Sequence, residues 1–195
     1  MVQRLTRADL LGLEQYAVER PRFRAEVMAH KRKRIVGIGP HVSLHFEDRL
    51  TVQYQIQEML RVERIFEREA IEAEIGTYNP LIPDGTNLKA TMMFEYEDPA
   101  ERSRALALLI GVEDRVWLRV DGHAPVFAIA DEDLPRDTAE KTSSVHFLRF
   151  ELDPEMRVAL RGGAGLCAGI DHGAYRHALE PIPSQIRDAL LADLD

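Results

Sequence analysis

The chain is almost without cysteine. A single thiol, Cys167, stands in 195 residues, so an internal disulfide framework and a thiolate metal cage within one chain are both excluded. Long hydrophobic runs are missing as well. No segment approaches the apolar length that crosses a bilayer, and the N-terminus has no apolar core of a secretion signal. Positive charge is in the minority. Against 33 Asp and Glu there are 25 Lys and Arg, a formal net charge of −8, which argues against a general nucleic-acid binder and against an anionic-membrane binder. Together these absences favour a cytoplasmic protein.

Familiar catalytic signatures are also missing. Gly37 and Gly39 lack the third glycine and the following helix of a dinucleotide fingerprint. Gly162, Gly163 and Gly165 lack the Lys and Ser/Thr of a phosphate loop. The metalloprotease helix signature is absent, and no serine occupies a nucleophile elbow. Internal repeats and low-complexity linkers are not seen.

What is present suits a globular chain: 45% hydrophobic and 30% charged residues. The length suits one domain over residues 1–195. Its centre is the stretch HVSLHFEDRLTVQYQIQEMLRVERIF. Val42, Leu44 and Phe46 alternate with polar neighbours, the period of a half-buried strand. Asp48 caps a following helix, on which Val52, Ile56, Met59, Leu60, Val62 and Phe66 form one stripe. That helix is expected to run to about residue 75, with Gly76 as its stop.

Upstream, Thr6 and Asp9 form a capping box, Pro21 interrupts an apolar stripe, and a second helical segment spans about residues 23–33. That segment ends in HKRKR, which reads as an anion patch or as cations complementing a helix C-terminus. Residues 35–39 form an edge strand or a hairpin arm. Downstream, residues 88–96 and 144–152 alternate as strands. Residues 115–130 form a hairpin turning at Asp121-Gly122. Asp98-Pro99 and Asp153-Pro154 open helices. GLCAGIDH is a last strand whose small residues permit close backbone approach. A terminal amphipathic helix follows Pro183. The pattern predicts α+β, a largely antiparallel sheet packed against a long central helix and several shorter helices.

Candidate chemistry gathers along that helix and at the late histidines. Tyr54, Gln57, Glu58 and Arg61 border its core face. Asn79, Asp84, Asn87 and Lys89, in and after a loop rich in proline and Asx residues, are candidate ligand-binding groups, although such residues commonly satisfy their own backbone. As an enzyme, the chain would use His146 or His172 as general base, with Glu58 and Arg61 positioning substrate. A metal would need His41, His146, His172 and Asp171. His45 faces the same side as His41, but the two stand about 13 Å apart on an extended strand and cannot share an ion. His146 shares its strand face with Leu148, Phe150 and Leu152, which also fits a hydrogen-bonded core histidine. Asp131, Glu132 and Asp133 are oxygen donors without a calcium-loop spacing. Cys167 and His172 fall on opposite strand faces, so a buried inert thiol is expected.

The runs FEDRLTVQYQIQEMLRVERIF, YNPLIPDGTNLKATMM, GVEDRVWL, AIADEDL, EKTSSVHFLRFEL and GIDHGAY resemble a bacterial family of uncharacterised proteins, a domain of unknown function. The resemblance spans nearly the whole chain. It carries no catalytic residues and names no cofactor. It implies genomic company with rubrerythrin-like proteins and iron–sulfur oxidoreductases. The functional expectation is therefore an accessory protein of a redox or peroxide-defence system that binds a small ligand or a protein partner, as monomer or homodimer. The rival expectation is a small, possibly metal-dependent enzyme with a His/Glu/Arg site between helix and sheet.

Overall fold

A computed structural model describes residues 4–195. Six helices and two antiparallel sheets make the fold α+β. The Thr6–Asp9 capping box is present on a single 3-10 turn. The first full helix, α1 (Leu13–Lys31), then runs straight through Pro21. Pro21 has no N–H and would normally interrupt a helix. Contacts on both sides of it hold α1 together: Tyr16 and Arg20 grip Glu58, and Phe23 and Arg24 meet Tyr54.

β1 (Ile35–Ile38) and β2 (Val42–Phe46) form a hairpin. Gly39 takes the left-handed φ (+69°) at its turn, where a side chain would also collide with Tyr175 and His177. Asp48 then caps α2 (Arg49–Glu63), accepting from the Thr51 N–H. The expected long helix is in fact two. Arg64 adopts a left-handed conformation and ends α2, and α3 (Arg68–Tyr78) starts afresh with Gly76 inside it. Phe66, which continues the apolar stripe in the sequence, is exposed in the break. Apolar periodicity carries no signal for a single left-handed residue, and that is why the break was not legible.

β3 (Asn87–Phe94), α4 (Pro99–Leu108), β4 (Val116–Val120), β5 (Val126–Phe127) and β6 (Ile129–Ala130) follow. β7 (Val145–Glu151), α5 (Pro154–Arg161), β8 (Leu166–His172), β9 (Tyr175–Leu179) and α6 (Ser184–Leu190) complete the order. One sheet runs β1-β2-β3-β7-β6 and the other β5-β4-β8-β9. The return arm of the 115–130 hairpin therefore changes sheets. β5 pairs with β4, and two residues later β6 pairs with β7. A period-two pattern fixes which face a side chain takes, not which sheet its strand joins. β9 went unforeseen because its middle residues, Arg176 to Ala178, are exposed and show no alternation.

Leu44, Phe46, Leu88, Met92, Leu148 and Phe150 from the first sheet meet Val116, Leu118, Leu166 and Ile170 from the second in one core. On β8 the small residues work as expected: Trp117 of β4 lies against Gly169, leaving no room for a side chain. A second, separate core joins Val52, Ile56 and Leu60 of α2 to Ile71 and Ile75 of α3, with Leu5 and Ile82. The HKRKR run is neither a plain surface patch nor only a set of helix-end cations. Its last residue, Arg34, is 1% exposed. It donates to the carbonyls of Phe46, Glu47 and Ala189 and pairs with Asp193, tying the β2–α2 junction to the C-terminus.

Candidate functional site

The polar edge of α2 is a closed clamp. Glu58 accepts from the Tyr16 hydroxyl at 2.6 Å and takes a two-point contact from Arg20 at 2.7 and 2.8 Å. Arg61 adds a contact at 3.3 Å. The Arg20 guanidinium, foremost, holds the Glu58 carboxyl down at about 2. Tyr54 accepts from Arg24, and Gln57, 1% exposed, bonds both the N–H and the carbonyl of Leu11. These groups lock helix to helix and helix to the N-terminal segment.

The loop before β3 also satisfies itself. Asn79 bonds the Leu5 N–H and carbonyl at 2.9 Å each. Asp84 accepts from the Thr86 N–H and hydroxyl, and Asn87 bonds the Asp84 N–H and the Glu151 carboxylate. Lys89 differs, because it lines a small cavity of about 130 Å³ with Tyr78, Leu81, Ile129, Phe147 and Arg149. Its ammonium donates to the carbonyls of Pro80 and Ile82, and burial lowers its pKa.

His172 and Asp171 sit at the β8–β9 turn. His172 accepts from the Ala174 N–H, and Asp171 pairs with exposed Arg176. His41 stacks on Tyr96 at 4.1 Å. Cys167 is buried, and burial pushes its thiol up.

His146 is different again. It opens β7 on the core-facing side and is fully buried. Its Nδ1 stands 2.6 Å from Asp131 Oδ2, and its Nε2 stands 2.8 Å from the Thr142 hydroxyl and 3.1 Å from the Ser143 carbonyl. Asp131 holds a left-handed φ of +49°, a rare state for a residue with a side chain. That turn aims one carboxylate oxygen at His146, while the other accepts from the Phe147 N–H and from Arg136. Arg136 also pairs with Asp133 and lies over the Phe147 ring. Of the acidic run, then, only Asp131 reaches the histidine; Glu132 pairs with Arg149.

Beyond Nε2 the centre turns acidic. The Thr142 hydroxyl bonds Asp137, whose other oxygen accepts from the Gly111 N–H. Glu113, on the 3-10 turn Glu113–Arg115, faces Asp137. Burial, foremost, raises its carboxyl pKa. Its Oε2 is buried with no hydrogen-bond partner. Donor atoms of Glu113, Asp137 and His146 all lie within 4.8 Å of one another. Among the described residues, this is the group of metal-capable side chains that gathers within reach of one ion.

The Asp131 carboxylate faces Nδ1, Nε2 faces the Thr142 hydroxyl oxygen and the Ser143 carbonyl, and the Thr142 hydroxyl donates to Asp137. The same atoms outline an Asp–His–hydroxyl relay, but Thr142 is 1% exposed and its hydroxyl also bonds Asp137, so it cannot approach a substrate carbonyl.

Of the residues expected to act together, His146 shares no hydrogen-bond partner with Glu58, Arg61 or His172. The companions it does have, Glu113 and Asp137, escaped sequence reasoning. They lie on a single turn and in an irregular loop, where no periodicity marks which way a side chain points.

The family model for a protein of unknown function, DUF3501, matches residues 4–194. The chain belongs to the DUF3501 family. A crystal structure of a novel protein of unknown function from Burkholderia pseudomallei K96243 is similar to it, with 54% identity and a TM-score of 0.94. The match covers 99% of this chain and 100% of that one. No curated protein sequence matches the chain. No helix among the described residues of this DUF3501 protein is long and apolar enough to cross a membrane.

Proposed function

We propose that this protein binds one divalent metal ion through His146, Asp137 and Glu113. The observation that carries the reading is the gathering of these three donors within 4.8 Å, with Glu113 Oε2 buried and unpartnered. Asp131 supports it. Histidines that ligate metals usually donate their other ring N–H to a carboxylate, which fixes ring orientation and tautomer. The His146–Asp131 contact has that form. One nitrogen and two carboxylates suit zinc, manganese or ferrous iron better than copper(I), which prefers sulfur.

Ferrous iron links this reading to the redox setting that the family resemblance implies. The protein then serves as a metal-holding accessory to a rubrerythrin-like protein or another oxidoreductase. An enzymatic role for the same centre is the second form of the proposal.

Elemental analysis of protein purified without an affinity tag is the test. About one equivalent of a single metal is expected in the wild type, with near-complete loss in Asp137→Asn and Glu113→Gln. Less than about a tenth of an equivalent, with no rise in Tm on adding zinc, manganese or ferrous iron, overturns the reading. A native pull-down that recovers no oxidoreductase removes the accessory role while leaving the metal site standing.

A further inference from the structure

Several arginines of this acidic chain have a carboxylate partner, among them Arg20, Arg34, Arg136, Arg149, Arg176 and Arg187. Two cations without such a partner share one depression. Among the described residues, Arg102 on α4 and Lys141 in the loop before β7 have no partner for their charged ends, and both line one open depression of about 530 Å³. Arg136 borders it as well, with Thr142, Ser143 and Ser144 along the loop side. Ser143 Oγ accepts from the Val145 N–H, which leaves its proton free, and Ser144 Oγ makes no hydrogen bond.

Position makes the depression more than a basic patch. The Thr142 N–H donates to the Leu106 carbonyl of α4, so loop and helix are pinned together at its edge. The Thr142 hydroxyl lies 2.8 Å from His146 Nε2. The depression therefore borders Thr142, the residue that contacts His146. In a chain of net charge −8, a concentration of unpaired cations beside free hydroxyl donors attracts small anions selectively. A planar guanidinium, an ammonium and two hydroxyls are the donors that oxyanions take.

We propose that this depression binds a small oxyanion, a phosphate or carboxylate group, held by Arg102, Lys141, Ser143 and Ser144. It goes beyond the metal reading, rests on different residues and needs no metal for its own test.

Inorganic phosphate and citrate are the probes, titrated by isothermal calorimetry and by amide chemical shifts. Each titration is run on protein stripped with a chelator and on protein reloaded with zinc. Saturable binding is expected, with shifts centred on residues 102–106 and 141–146. Arg102→Ala with Lys141→Ala should weaken it at least tenfold. Arg32→Ala with Lys33→Ala changes net charge equally at a remote place and should leave it unchanged. Preference for phosphate or for citrate tells which oxyanion the site takes. Binding by stripped protein upholds the proposal even if no metal is ever retained. No saturable binding in either state, or equal weakening by the remote pair, overturns it even if the metal site proves real.

Discussion

Two polar clusters in this molecule, the α1–α2 clamp and the His146 centre, differ in what they leave over. At the α1–α2 clamp, Glu58 faces two arginines and a tyrosine hydroxyl, so its charge is neutralised and its oxygens are occupied. Around His146, three carboxyl groups face one histidine and one threonine hydroxyl, and Glu113 Oε2 is left without a partner. Arg136 offsets Asp131 but does not reach Glu113 or Asp137. Buried polar groups in folded proteins are nearly all satisfied, so the exception carries information. The lesson is that a candidate site is better sought where charge accounting fails than where polar side chains are merely dense.

Mutation should separate the two clusters by sign. The largest effect is expected at the His146 centre. Glu113→Gln should lower affinity for added zinc about a hundredfold, since it removes one of three protein donors. In metal-free protein the same change should leave urea stability unchanged or raise it, because it removes a buried like-charge contact. A clear loss of metal-free stability would make Glu113 structural, like Glu58.

Glu58→Gln should do the reverse, costing about 1–2 kcal/mol in urea unfolding with no effect on metal content. Its pH dependence follows from the lowered carboxyl. The folded value of about 2 lies below the ordinary 4.5, so the stabilisation is complete above pH 4.5 and fades as pH falls toward 2. Acid titration of the wild type should show that decline, and the variant should lack it.

Thr142→Val should cost about 1.5 kcal/mol, the worth of a hydrogen bond to a carboxylate lost at Asp137. Its metal binding should change little if the hydroxyl only fills space that an ion would take, and calorimetry with zinc measures this. The smallest effect is expected at the β8–β9 turn. His172→Ala and Asp171→Ala should shift stability by no more than about 0.5 kcal/mol and leave metal content unaltered. Loss of metal on either change would return those residues to the site.

Particular residues show how far the chain can be read without coordinates. Alternation placed Val42, Leu44 and Phe46 inward, and Asp-Pro pairs marked the starts of α4 and α5, because these depend only on neighbours within a turn or a strand. The same alternation put His146 on an apolar face. The break at Arg64, the sheet change between Phe127 and Ile129, and β9 were not legible, since each depends on what lies alongside in space. Lys89 lines a cavity even though its ammonium, like the side chains of Asn79 and Asp84, bonds backbone groups in or beside that loop.

Local order along the chain was thus enough to determine an α+β protein with antiparallel strands, acidic charge and an inward-facing His146. Tertiary structure alone decided that Asp131 would turn into a left-handed conformation to meet that histidine, and that Glu113 and Asp137 would arrive from separate segments. Strand and helix periods are set by bonds to near neighbours, whereas the meeting of two irregular segments is set by the packing of everything between them.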